Sequence, residues 1–243
     1  MKVAILAGGK GTRLSELTKE VPKPMVKIGS TPILIHIMNH YLKYDFKDFI
    51  ILAGYKSDII KKFFKNFKKI NVPFDYKINK KNCRITIVES GKNSMTGGRL
   101  KILKKILKNN EEFMFTYGDG ISNVDIKKLV NFHKKNKKMI TVTAVRPPAR
   151  FGEIIIKDNL VHSFKEKPQV NQAWINGGFF VAKKIFLNLI QNNKTILEKK
   201  PLEKVAKKRQ LTVYKHHGFW KCMDTLRDKE VLQNIFKKNK FNF

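Results

Sequence analysis

At 243 residues the chain can bury one substantial core but is too short for a multidomain assembly. Hydrophobic residues make up 42% of it, and no run approaches the roughly 18 apolar residues of a membrane-spanning helix, so no membrane span is expected. Lys and Arg number 51 against 19 acids, a net charge of +32, but basic pairs such as Lys61-Lys62, Lys104-Lys105 and Lys199-Lys200 are scattered from end to end. Without interleaved aromatics or a nucleic-acid motif, this dispersal favours a Lys-rich solvated surface over a nucleic-acid partner, with a small polyanionic substrate as the third reading.

The segment Met1 to Ala7 carries one charge and breaks at Gly8-Gly9, unlike a secretory leader, so a cytoplasmic location is expected. Cys83 and Cys222 have neither paired spacing nor histidine neighbours and read as ordinary reduced thiols. Val3–Ala7 reads as a buried strand. Thr31 is placed to cap a helix with Pro32 in its first turn, and Ile33, Leu34, Ile37, Met38, Tyr41 and Leu42 form one apolar face of it. Strands follow at 49–52, 84–88, 113–117 and 139–144. The helices between them start at Ser57-Asp58, with a stripe reaching Phe67, and span 99–107 and 124–136. This alternation predicts an α/β fold around a mostly parallel sheet flanked by helices. After Arg146-Pro147-Pro148 come shorter strands at 153–156, 161–164 and 176–181, helices near 185–191 and 202–208, a strand at 211–214 and a closing helix from Thr225. With no repeat and no flexible linker, this second half is expected to elaborate the same sheet, giving one domain over 1–243.

Leu6-Ala7-Gly8-Gly9-Lys10-Gly11-Thr12-Arg13-Leu14 follows the first strand directly, at the carboxyl edge where open α/β sheets bind ligands. Glycines clear side chains from the path of a polyphosphate, and Arg13 adds a planar charged fork suited to phosphate oxygens. Lys23, held between Pro22 and Pro24, can set an ammonium over the same phosphates. The dinucleotide fingerprint fails because Leu14 stands where a third glycine is needed, and the G-x-x-x-x-G-K pattern of a phosphate-binding loop is absent.

Asp119, flanked by Gly118 and Gly120, ends the strand at 113–117 at this same edge, and Asp224 in Met223-Asp224-Thr225 could bring a second carboxylate to one ion. Mg²⁺ takes such oxygen ligands, typically one or two carboxylates with substrate phosphates and waters. The competing readings are a turn residue for Asp119 and the N-cap of the last helix for Asp224. His36, His40 and His133 fall in helical patterns and read as packing or surface residues, His216-His217 as a weak metal candidate, and Phe219-Trp220 as packing near the site or core.

Leu6 to Leu14 with Pro22-Lys23-Pro24-Met25 resembles the signature of the sugar-nucleotide pyrophosphorylases. Further segments narrow the resemblance to the glucose-1-phosphate cytidylyltransferases: residues 94–100, 116–120, 164–168, 174–181, Gly218-Phe219-Trp220 and 223–229. The resemblance runs in order over nearly the whole chain. It implies a Rossmann-like, glycosyltransferase-A-like nucleotidyltransferase fold, with 1–146 mainly nucleotide-binding and 147–243 mainly binding the sugar phosphate and supplying the closing helix. The implied partners are CTP and glucose 1-phosphate, the implied cofactor is Mg²⁺, and the implied assembly is a homo-oligomer. Nucleotide contacts are implied for Leu6, Ala7, Gly8, Gly9, Gly11, Thr12, Arg13, Lys23, Ser94, Arg99 and Gly118. The resemblance implies Mg²⁺ ligation by Asp119 and Asp224, sugar-phosphate contacts by Glu166, Lys167, Asn176 and Gly177, and catalytic roles for Arg13, Lys23, Asp119 and Asp224. The chain departs from the family in a shorter stretch between Phe67 and Glu89, which bears on oligomer contacts and the site rim, and in a Lys-richer tail after Lys229.

Overall fold

The structure, a computed structural model, describes residues 1–147, 153–157, 160–165 and 174–238. In chain order come β1 (Val3–Ala7), α1 (Ser15–Thr18), β2 (Lys27–Ile28), β3 (Thr31–Pro32), α2 (Ile33–Lys43), β4 (Asp48–Ala53), α3 (Ser57–Phe63), β5 (Phe74–Ile78) and β6 (Lys81–Glu89). Then follow α4 (Thr96–Lys101), α5 (Leu103–Ile106), β7 (Glu112–Tyr117), β8 (Gly120–Ser122), α6 (Ile126–Asn136), β9 (Ile140–Val145), β10 (Glu153–Lys157) and β11 (Leu160–Lys165). The last are β12 (Ile175–Lys183), α7 (Lys200–Lys207), β13 (Leu211–His216), β14 (Trp220–Cys222) and α8 (Leu226–Lys237).

Eight strands form one mixed sheet in the order β13-β9-β12-β7-β1-β4-β6-β5. β1 pairs in parallel with both β4 and β7, so its Gly-rich continuation emerges from the middle of the carboxyl edge. The expectation of a mostly parallel sheet holds for six strands. β12 runs antiparallel to both β7 and β9, and the edge strand β5 runs antiparallel to β6. Strands from both halves of the chain share this sheet.

Alternation along the strands divides the core into two layers. Val3, Ile5, Phe49, Ile51, Met114, Phe179 and Val181 face one side and meet Ile33, Ile37, Tyr41, Leu129 and Leu232 from α2, α6 and α8. Ala4, Leu6, Ile50, Leu52, Phe113, Phe115 and Phe180 face the other side, against Leu100, Leu103, Phe186, Leu187 and Val205. In that second layer the rings of Phe115 and Phe180 stack with centroids 4.3 Å apart and planes 10° apart. Burying each such ring supplies about 1.5–3 kcal/mol.

Several expected boundaries moved. Thr31 does not cap α2, because its backbone pairs with Ile28 in the β2:β3 ladder. Pro32 takes the N-cap position instead, and Ile33 opens the helix. The helix expected at 99–107 is two short helices separated at Ile102, and the 185–191 helix is a 3-10 segment over Lys184–Leu189. α3 ends at Phe63, and Phe64 enters the core from an extended conformation.

Candidate active site

Gly11, with φ of 65°, turns the chain out of β1 into a short 3-10 turn over Thr12–Leu14. A Cβ on it would lie 2.8 Å from the Thr18 methyl and 3.3 Å from Lys23 Cβ, so this close approach requires glycine. Leu6 and Ala7 are buried strand residues beneath the turn, and Gly9, Thr12 and Arg13 are exposed on it, with open space around Gly9. Gly8 is backed by Arg99, whose Nη1 would lie 2.1 Å from a Cβ there.

Lys23 begins a 3-10 turn, Lys23–Met25, whose entry is fixed by Pro22 in extended conformation. Its ammonium lies 2.6 Å from Asp119 Oδ2 and 2.6 Å from Asp224 Oδ1. Arg13 Nη1 lies 2.7 Å from the remaining oxygen of Asp224, although its side chain is 70% exposed. Burial alone would lower the Lys23 pKa, but the charges and hydrogen bonds of Asp119 and Asp224 outweigh it and hold the ammonium above its ordinary value.

The two aspartates meet because β8 and β14 form an antiparallel ladder, with Gly120 opposite Cys222 and Ser122 opposite Trp220. Asp119 precedes β8 and Asp224 follows β14, so both emerge from the same end of the ribbon. The Met223 N–H donates to the Asp119 carbonyl at 2.9 Å and closes that end. Gly118 lets β7 exit past Pro24, since a Cβ would lie 2.7 Å from the Leu6 carbonyl oxygen and 2.9 Å from Pro24 Cγ.

Asp224 is not the N-cap of α8. Thr225 is, in a capping box: its hydroxyl accepts from the Asp228 N–H at 3.2 Å, and Asp228 Oδ2 accepts from the Thr225 N–H at 3.0 Å. Asp228 also accepts from the Asp224 N–H at 3.1 Å, which fixes the Asp224 backbone and leaves its carboxylate for the site. Cys222 Sγ lies 3.7 Å from Asp224 Oδ2, and burial together with Asp224 pushes this thiol up to about 12.

Arg99, expected at the nucleotide, is 4% exposed. Its Nη1 donates to Ser90 Oγ and to the Gly91 carbonyl, both at 2.7 Å, so it props the loop after β6 beneath Gly8. Ser94 lies in the same wall, its hydroxyl 2.6 Å from where a Cβ on Gly91 would stand. Asn176 and Gly177 open β12: Asn176 Nδ2 donates to Tyr117 Oη at 3.1 Å, and the Gly177 carbonyl accepts from Trp220 Nε1 at 2.7 Å. Glu166 and Lys167 lie outside the described residues.

Tyr117 and Glu198 went unread in the sequence. The Tyr117 hydroxyl donates to Glu198 Oε1 at 2.5 Å, while Thr96 Oγ1 donates to Oε2 at 2.7 Å. Burial, then the Glu198 charge, raises the Tyr117 pKa above its ordinary value. Nothing in the Lys-rich stretch around Glu198 marks it, whereas the position of Tyr117, two residues before Asp119 at a strand end, was a usable signal.

The helical histidines are packing residues. His36 and His40 hydrogen-bond to the carbonyls of Ile28 and Val124, and His133 to the Thr141 hydroxyl. Among the described residues, no three His, Cys, Asp or Glu side chains gather in a metal-binding group, and no helix is long and apolar enough to cross a membrane. Cys83 and Cys222 are both free thiols.

Residues 2–225 match the family model described as nucleotidyl transferase. The glucose-1-phosphate cytidylyltransferase of Salmonella typhimurium is 46% identical over 99% of this chain and 97% of its own length. The mannose-1-phosphate guanyltransferase of Saccharomyces cerevisiae is 31% identical over 96% of this chain and 63% of its own. The solved structure of a UDP-glucose pyrophosphorylase complexed with UDP-glucose shares the fold, with a TM-score of 0.72 at 16% identity, covering 98% of both chains. With the Gly-rich turn, the basic residues above it and the paired aspartates joined at one sheet edge, this chain belongs to the nucleotidyl transferase family.

Proposed function

We propose that the chain transfers a cytidylyl group from CTP to α-D-glucose 1-phosphate, giving CDP-glucose and pyrophosphate with the help of Mg²⁺. The observation that carries this reading is the convergence of Asp119, Asp224 and Lys23 beside the Gly-rich turn. The choice of cytosine and glucose rests on the near-full-length similarity to the Salmonella enzyme.

The donor set fits Mg²⁺. Two carboxylates already share one cation, and Mg²⁺ is commonly held by one or two carboxylates, the rest of its shell being waters and substrate phosphates. Asp119 and Asp224 would hold it. Bound there, the ion supplies neutralisation of phosphate charge.

In the reaction an oxygen of the sugar phosphate attacks the α-phosphorus of CTP. The new P–O bond forms as the bond to the bridging oxygen of the β-phosphate breaks, and pyrophosphate departs with that electron pair. The attacking oxygen is already anionic near neutral pH, so no strong base is needed, and the obstacle is bringing two anions together. Arg13 and Lys23 would bind the triphosphate, and the glycines at 8, 9 and 11 leave room for it. Asn176 and Gly177, braced by Tyr117 and Trp220, would form the wall on the sugar side, and Glu166 and Lys167 are expected sugar-phosphate contacts from the sequence alone.

Pyrophosphate release measured across four triphosphates and several hexose 1-phosphates, with and without Mg²⁺, tests the reading. CTP with glucose 1-phosphate in the presence of Mg²⁺ should be fastest. A faster rate with UTP, dTTP or another hexose would reassign the substrate and leave the chemistry in place. A homo-oligomer in the cytoplasm belongs to the same reading, and light scattering on the purified chain tests its assembly.

A further inference from the structure

The Lys23 ammonium stands where both carboxylates point. It lies 2.6 Å from an oxygen of each aspartate, with its side chain 11% exposed, between carboxylates that are 25% and 14% exposed. A divalent ion shared by Asp119 and Asp224 would need the same position. The backbone of Lys23 cannot withdraw to make room: Pro22 and Pro24 flank it, the Met25 N–H donates to the Pro22 carbonyl at 2.7 Å, and the Val26 N–H to the Lys23 carbonyl at 3.1 Å. Only the flexible side chain can move. With Arg13 on the outer oxygen of Asp224, the cluster sets two carboxylates against one ammonium and one guanidinium, so it is formally neutral before any ion or substrate arrives.

Adding a divalent cation alone would force the ammonium off its partners and leave it next to a like charge. A triphosphate arriving with the ion changes this balance, because its oxygens accept the displaced ammonium. We infer that Lys23 is the occluding cation of the metal site, holding Asp119 and Asp224 together in the empty enzyme and yielding to a divalent ion only when a nucleoside triphosphate takes the ammonium in exchange. Metal and nucleotide binding are thereby coupled through one side chain, and such couplings amount to about 5–150-fold in affinity. The inference rests on the proposed assignment of the two aspartates as metal ligands.

Mn²⁺ binding to the full chain, followed by electron paramagnetic resonance without nucleotide, tests it. In Lys23→Met the two carboxylates lose their ammonium, and Mn²⁺ should bind at least about tenfold more tightly than in the unsubstituted chain. Lys23→Arg should restore weak binding, and adding Asp119→Asn to Lys23→Met should abolish the gain. Lys23→Gln provides a second neutral side chain should the Met variant fail to fold, as judged by thermal melting. Equal Mn²⁺ affinity in the unsubstituted chain and a folded neutral variant overturns the inference. Pyrophosphate release from CTP and glucose 1-phosphate by the unsubstituted chain is scored separately. Turnover without the Mn²⁺ gain sinks only the occluding role, and the Mn²⁺ gain without turnover sinks only the substrate assignment.

Discussion

Arg99 occupies the volume that a side chain on Gly8 would need: a Cβ there would stand 2.1 Å from Nη1 and 2.6 Å from Cζ, with the Gly54 backbone nitrogen 3.0 Å away. The guanidinium cannot swing aside cheaply, since it is buried and donates to Ser90 and Gly91. Burial lowers its pKa from the usual value, although it stays charged at any working pH. Gly8→Ala should therefore destabilise the chain by about 1–3 kcal/mol through overpacking, a fall in Tm of roughly 2–4 °C for each kcal/mol. Thermal melting checks this, and Gly9→Ala, facing open space, should melt close to the unsubstituted chain.

If Asp119 and Asp224 hold the divalent ion as proposed, Asp119→Asn and Asp224→Asn should each lower kcat/KM for pyrophosphate release by about a hundredfold or more, a loss of several kcal/mol of transition-state stabilisation. Circular dichroism and melting should report an intact fold. Near-normal turnover in either variant would remove that aspartate from the mechanism.

Thr225→Ala removes one half of the capping box and should cost about 1 kcal/mol, with Tm lower by roughly 2–4 °C. Asp228 also ties down the Asp224 N–H, so the loosened helix start should reduce turnover as well. Thr225→Ser, which keeps the hydroxyl, should recover both.

Tyr117→Phe deletes the hydroxyl that joins Asn176 to Glu198. Both partners are within reach of water, so stability should change by less than about 1 kcal/mol. KM for glucose 1-phosphate should rise severalfold while KM for CTP stays nearly constant. A reversed pattern in steady-state kinetics would assign this network to the nucleotide instead.

Buried histidines contribute to the loss of stability in acid. Burial lowers the His40 pKa to about 4, and the same cause lowers those of His36 and His133. An unfolded histidine takes its proton near pH 6.5, so below that pH the unfolded chain binds more protons than the folded one. The histidine contribution is fully present above about pH 6.5 and drains away as pH falls towards 4, by about 3 kcal/mol from His40 alone. Urea midpoints at pH 7.5 and pH 5 measure the loss. His40→Gln should be less stable at pH 7.5 yet show a shallower decline.

The long buried strands were legible because their composition allows little else. Val3–Ala7 was read to the residue, and the strand read at 113–117 was found over Glu112–Tyr117. β6 was read in part, at 84–88, but β5 and its turn into β6 escaped because the two turn residues, Asn79 and Lys80, both adopt positive φ, and a Lys at such a position carries none of the Asn-Gly signal that marks these turns. The three-residue strands β8 and β14 are too short to show a period, yet they join the two aspartates. The chemical types at the site could be named from the chain, whereas Lys23 lying between the aspartates, and Arg99 spent on buttressing, depend on contacts across distant segments.

The ribbon of β8 and β14 also makes the spacing of the acidic pair independent of the surface loops between its strands. Its register is written in backbone pairing, so exposed loops between Ser122 and Trp220 can change in length or composition while the acidic pair keeps its spacing, provided β9, β12 and β13 keep their places in the main sheet. On the proposed reading, selection can thus retune acceptor choice in those loops without reopening the question of how the donor is gripped.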